Sequence, residues 1–177
     1  MFLLNKFTLL NIFSKDIIKF IKNPILLDMN NNDWGKTMSV CNEIIHKEIF
    51  EFSGIQCIKP ETVENYDLIL KHNNKNIKIQ SKLRQINGRK SINFLTSRSR
   101  TKQYSSNEFD YAMISLIDIG KYDNKSKQDI INWTFHLIPT NKLIKKNSNY
   151  CVSYIPYNLL EKYKIDDFKC IKSILFS

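Results

Sequence analysis

The chain has 177 residues, a net charge of +10, and a composition that is 42% hydrophobic and 12% aromatic. That size fits one domain with a short appendage, and an apolar fraction rich in Phe and Tyr closes its own core, which excludes a disordered tail. The four cysteines (Cys41, Cys57, Cys151, Cys170) form no Cys-x-x-Cys pair or Cys/His cluster, which argues against a zinc site and for scattered thiols in a reducing, intracellular compartment.

Residues 1–33 read as an N-terminal extension of uncertain role. The segment is apolar but repeatedly interrupted by lysine, so it lacks the ~20 uninterrupted apolar residues that cross a bilayer. It also has no small-residue cleavage site of the secretory kind. No membrane role is expected, and a single folded domain is expected over 34–177.

Thr37 to Phe52 reads as a helix, with Val40, Cys41, Ile44, Ile45, Ile49 and Phe52 recurring at three- and four-residue spacing and Gly54 as the stop. Ile55 to Ile58 is a short apolar run that Pro60 ends. Tyr66 to Leu70 and Asn76 to Leu83 read as strands joined by Asn73-Asn74. A further strand is expected near Arg84, turning at Asn87-Gly88 and returning over Ser91 to Leu95. Phe109 to Ile119 has the character of a central strand, and Trp133 to Ile138 is another, ending at Pro139. Pro156 to Tyr163 fits a closing helix with proline near its first turn. The order implies an α/β (α+β) domain around one mixed sheet flanked by helices. The lone His46, His72 and His136 read as ordinary surface or core residues.

The charge is unevenly placed. No Asp or Glu occurs from Leu68 to Asn107, and the ten cations of that window equal the net charge of the whole chain. All four arginines lie between positions 84 and 100. Lysine richness alone reflects compositional bias, but guanidinium groups suit bidentate contact with phosphate or with guanine edges. Arg84, Arg89, Lys90, Arg98, Arg100 and Lys102 are therefore the candidate nucleic-acid contacts.

Strand geometry brings three polar residues together. Side chains alternate along a strand, so Gln80 and Lys82 share one face while Ile79 and Ser81 take the other. A tight turn at Asn73-Asn74 pairs positions whose numbers sum to 147, which sets Asp67 opposite Gln80 on the same face. A carboxylate, an amide oxygen and an ammonium at one point on a sheet suit phosphodiester hydrolysis. Asp67 and Gln80 would give a hard divalent cation its oxygen ligands, and Lys82 would position the attacking water or stabilise charge on the phosphorane.

Asp67, twelve residues, then Gln80-x-Lys82, preceded by Glu43 in a helix, resembles the PD-(D/E)XK nuclease superfamily over roughly residues 37–139. The resemblance implies a restriction-endonuclease-like core, with Glu43 as the helical acid and Glu48 as a weaker candidate on another face. It also implies Mg²⁺ as cofactor, with Mn²⁺ an alternative, and double-stranded DNA as substrate. Two departures stand: no proline precedes Asp67, and Gln80 replaces the second acid. The Gln-x-Lys version is similar to homing endonucleases encoded in group I introns of cyanobacteria, which implies a homo-oligomer, a dimer or a tetramer. Other superfamily roles, restriction or Holliday-junction resolution, stay open. So does an inactive nucleic-acid-binding relative in which Gln80 has ended catalysis.

Overall fold

The structure, a computed structural model, describes residues 31–86, 90–94, 103–119, 131–145 and 147–176. Helix α1 (Asn31–Phe52) begins six residues before the expected Thr37. Its buried face is phased differently from the apolar recurrence. Met38, Ile45, Ile49 and Phe50 are buried, whereas Val40 and Ile44 are 49% and 41% exposed. The reason is that two polar residues, Asn42 and His46, occupy inward positions at i,i+4, so the inward stripe is only partly apolar. The helix ends as its sequence predicts. Gly54 takes φ +74°, its N–H donates to Glu51 O (3.0 Å), and Ile55 N–H donates to Phe50 O (3.1 Å). That pair of bonds and the left-handed glycine form a Schellman stop.

Five strands make the main sheet, in the order β1-β2-β3-β5-β6: β1 (Gln56–Ile58), β2 (Leu68–His72), β3 (Lys75–Gln85), β5 (Tyr111–Ile119) and β6 (Ile131–Pro139). β3 and β5 run parallel and the other pairs are antiparallel, so the sheet is mixed. Asn73 and Asn74 have φ of 47° and 61°. Two successive left-handed residues make the turn type that fits the twist of a two-residue hairpin, and Asn tolerates it better than most side chains. The register follows: Leu68 faces Ile79 and Leu70 faces Ile77, as expected.

The expected hairpin after Arg84 does not form in that way. β3 runs unbroken for eleven residues, and Ile86 N–H continues along β5 by donating to Ile117 O (2.9 Å). Strand β4 (Ser91–Asn93) instead pairs with β7 (Tyr154–Pro156) as a separate two-stranded ribbon, which buries Ile92 and Ile155 against the sheet. Asn87 and Gly88 lie outside the described residues.

The sheet is covered on both sides. Ile79, Met113, Ile117, Phe135 and Leu137 meet α1 on one face. Ala112, Ile114, Leu116 and Ile138 meet the ribbon and Leu160 on the other. β5 is thus buried on both faces, which accounts for its near-continuous apolar sequence. A short helix, α2 (Thr140–Leu143), follows β6 without having been expected. Helix α3 (Tyr157–Lys162) starts after Pro156 as read from the sequence, but it does not close the chain. A 3₁₀ turn (Phe168–Cys170) and α4 (Ile171–Phe176) follow, and they return Ile171 and Leu175 to the core beneath α1. The result is a mixed α/β domain, its five-stranded sheet flanked by helices. Among the described residues no helix is long and apolar enough to cross a membrane.

Candidate active site

Asp67 stands one residue before β2, and its N–H donates to Ile79 O (2.9 Å), extending the hairpin ladder by one step. Its carboxylate reaches across to β3. Oδ2 accepts from Ser81 N–H (2.7 Å) and from Gln80 Nε2. Among the described residues Oδ1 has no such partner. Gln80 is only 2% exposed, so its amide is committed to this contact and hidden from bulk water. Lys82 follows on the same side of β3, with Nζ 5.5 Å from the centroid of the Tyr104 ring. Asp67, Gln80 and Lys82 therefore meet as the register predicts. One detail differs: the amide turns its nitrogen, a donor, toward the carboxylate.

The electrostatics of the cluster follow from burial. Removal from water holds the Asp67 carboxyl above its ordinary range; the Lys82 ammonium and the Ser81 N–H oppose that shift, and Glu43 adds to it. Burial also pushes the Lys82 ammonium down to about 8, against the pull of Asp67 and with the help of Arg84. Glu43 arrives from α1 and acts on both groups. Its Oε2 accepts from Lys59 Nζ at 2.7 Å; the lysine side chain is 63% exposed and the glutamate 16%. Glu43 and Asp67 are two carboxylates within electrostatic reach of one another, and the buried Gln80 amide meets Asp67 through its nitrogen. Such hard oxygen groups are the kind that Mg²⁺ or Mn²⁺ takes. Among the described residues no group of three or more His, Cys, Asp and Glu side chains is placed to hold a metal, so a site here would need donors of other kinds, such as an amide or backbone carbonyl oxygen.

No protein-family model matches the chain, and no curated protein matches it either. Among solved structures it is similar to a Holliday junction resolvase from the archaeal hyperthermophile Archaeoglobus fulgidus. The identity is 11% and the TM-score 0.41, over 72% of this chain and 90% of the resolvase. It is also similar to a bacterial homing endonuclease at 16% identity and a TM-score of 0.45, over 79% of this chain and 92% of that one.

The basic residues fare unevenly. Arg84 lies on the Lys82 side of β3, but its Nε donates to Asn93 O (2.6 Å) and its Nη1 to Leu83 O (2.7 Å). It ties the ribbon to the central strand, and burial lowers its proton affinity. Lys90 is exposed at the entry to β4. Arg89, Arg98, Arg100 and Lys102 lie outside the described residues. Glu48 is half-buried on α1.

Sequence reasoning missed several members of the neighbourhood. Lys59 had no motif to mark it. Tyr104 lies in the acid-free window from Leu68 to Asn107, which was read for its cations alone. Ser81 was assigned to the far face correctly, yet its main-chain N–H is what anchors Asp67. Asn42, His46 and Ser115 are buried behind Ser81, and the visible signal was a polar pair at i,i+4 inside an otherwise apolar helix stripe.

Proposed function

We propose that this chain is a divalent-metal-dependent DNA endonuclease. The observation that carries the reading is the meeting of Asp67, Gln80 and Lys82 on one face of the hairpin, desolvated and within electrostatic reach of Glu43. Polar groups withdrawn from water on a sheet cost free energy, and a cluster of this composition suits phosphodiester chemistry.

Asp67, Glu43 and the amide oxygen of Gln80 are the residues that would hold Mg²⁺ or Mn²⁺. The ion, when bound, supplies Lewis-acid polarisation of the phosphate and a more acidic water. Gln80 stays fixed through its nitrogen on Asp67, which leaves its oxygen for the cation. Lys82 is protonated below a pH of about 8 and carries its charge where negative charge builds on the phosphate oxygens. Lys90, together with Arg89, Arg98, Arg100 and Lys102, would contact the DNA backbone or base edges, with Arg84 holding the ribbon that begins next to Lys90.

Within this reading the Gln-x-Lys order supports a site-specific enzyme of homing type, and cleavage of both strands would need at least two copies of the chain. The test is a nicking assay with Mg²⁺ on plasmid carrying candidate sites, comparing wild type with Asp67→Ala and Lys82→Ala. Loss of cleavage in both variants with DNA binding retained is the expected result. Binding by the wild type without cleavage under Mg²⁺ or Mn²⁺ would instead identify a non-catalytic DNA-binding protein. Four-way junctions cut in preference to linear duplex would indicate a resolvase.

A further inference from the structure

Four polar side chains lie buried between α1 and the sheet, within the apolar layer that contains Ile45, Ile49 and Ile79. Asn42 Nδ2 donates to Ser81 Oγ at 2.8 Å. Ser81 Oγ is 2.8 Å from His46 Nδ1, and His46 Nε2 is 2.7 Å from Ser115 Oγ. The chain of contacts runs from helix to β3, back to the helix, and on to β5. A neutral imidazole with one N–H makes both contacts in either of two directions: Ser81 O–H donates to Nδ1 and Nε2–H donates to Ser115, or Nδ1–H donates to Ser81 and Ser115 O–H donates to Nε2.

Stability does not account for this arrangement. Apolar groups of similar shape would fill the layer without desolvating any polar atom, and such replacements are often neutral or better. Asn42 Oδ1 adds to the cost, since it is buried with no hydrogen-bond partner among the described residues.

The position of the chain suggests what it does. Ser81 is the residue whose N–H holds Asp67 Oδ2 on the opposite face of β3. Asn42 is the helix neighbour of Glu43, so one set of bonds fixes both the helical acid and the strand that carries the other donors. Apolar contacts alone are non-directional and let a helix settle by small slides or rotations, whereas hydrogen bonds fix distance and angle.

We propose that the Asn42–Ser81–His46–Ser115 chain is a positioning device that locks α1 on β3 at the level where it sets the spacing between Glu43 and Asp67. The inference rests on the reading that these donors hold a divalent cation. None of the four residues touches the ion or the substrate; each acts through Glu43 or Asp67.

The experiment measures Mn²⁺ binding to the full chain by titration calorimetry, together with the melting temperature. It compares wild type, Asp67→Ala, Ser81→Ala, and the double variant Asn42→Leu/Ser81→Ala. The expected result is that the double variant melts at or near the wild-type temperature yet binds Mn²⁺ roughly tenfold more weakly, the scale of loss seen when partners of metal ligands are removed. A purely structural role would move the two readings together. If the double variant does not fold, Ser81→Ala alone is read by the same criterion. A weakening below roughly threefold in a folded variant, while Asp67→Ala abolishes binding, overturns the positioning role and leaves the metal site standing. Mn²⁺ binding that survives in Asp67→Ala overturns the metal-site reading and this inference with it.

Discussion

Lys82→Met tests the burial argument most directly, because it keeps the length of the side chain and removes the charge. The fall of the Lys82 ammonium from its ordinary 10.5 to about 8 already includes the attraction of Asp67, so it measures the net cost of holding that charge in the folded protein. At about 1.4 kcal/mol per tenfold change in proton affinity, the cost is about 3 kcal/mol. The Tyr104 ring, 5.5 Å away, returns part of it, so this value is a ceiling. The sign is set by a base whose folded value lies below its unfolded one. The destabilisation is fully present below pH 8, fades from there to about 10.5, and is absent above. Lys82→Met should therefore be more stable than wild type at pH 7 by up to about 3 kcal/mol, and the two should converge near pH 10.5. Urea unfolding of both proteins at pH 7 and pH 10.5 gives the double difference, in which titrating groups that do not interact with Lys82 cancel. A variant that is less stable at pH 7, or a stability gap that does not change with pH, would refute the reasoning. Nicking activity should be lost in the variant throughout.

His46 gives the opposite pH window. Burial pushes its imidazole down to about 3 from 6.5, so the ring carries no protonation penalty above pH 6.5 and destabilises the fold increasingly as pH falls toward 3. The steep acid unfolding expected of the wild type should flatten in His46→Phe, as followed by circular dichroism from pH 7 to pH 4. Asn74, at φ 61°, should tolerate glycine without loss, whereas Asn74→Val should cost about 1–2 kcal/mol by thermal melting because a β-branched side chain resists the left-handed conformation. Lys59→Met frees the Glu43 carboxylate and removes a nearby positive charge, so Mg²⁺ should bind several-fold more tightly in calorimetry; weaker binding would mean that Lys59 supports the site.

The β2–β3 hairpin was legible in the sequence because it is local. Two asparagines that accept positive φ fix the turn, the turn fixes the register, and the register places Asp67 opposite Gln80. The α1 boundary at Gly54 was legible for the same reason. The helix face was misphased because a count of apolar residues skips Asn42 and His46, whose burial depends on Ser81 and Ser115, distant in the chain. β4 was assigned to the nearest available partner, while its actual partner β7 is found only once the apolar face beneath Ile92 and Ile155 has been built. Arg84 looked like a ligand-facing cation from the charge pattern. Its use on two backbone carbonyls is a tertiary fact that no local pattern encodes.

The alternation along β3 has a consequence for how reliably the protein is made. Ile79, Ser81 and Leu83 face the helix layer, while Gln80, Lys82 and Arg84 face the other side. A slip of one residue at the Asn73-Asn74 turn would drive an ammonium and a guanidinium beneath α1 and turn Ile79 away from it. Such a chain has no stable fold to settle into. Errors of assembly are thereby converted into unfolded molecules instead of well-folded, poorly aligned ones, so the yield of folding should vary with conditions while the competence of each folded molecule stays constant.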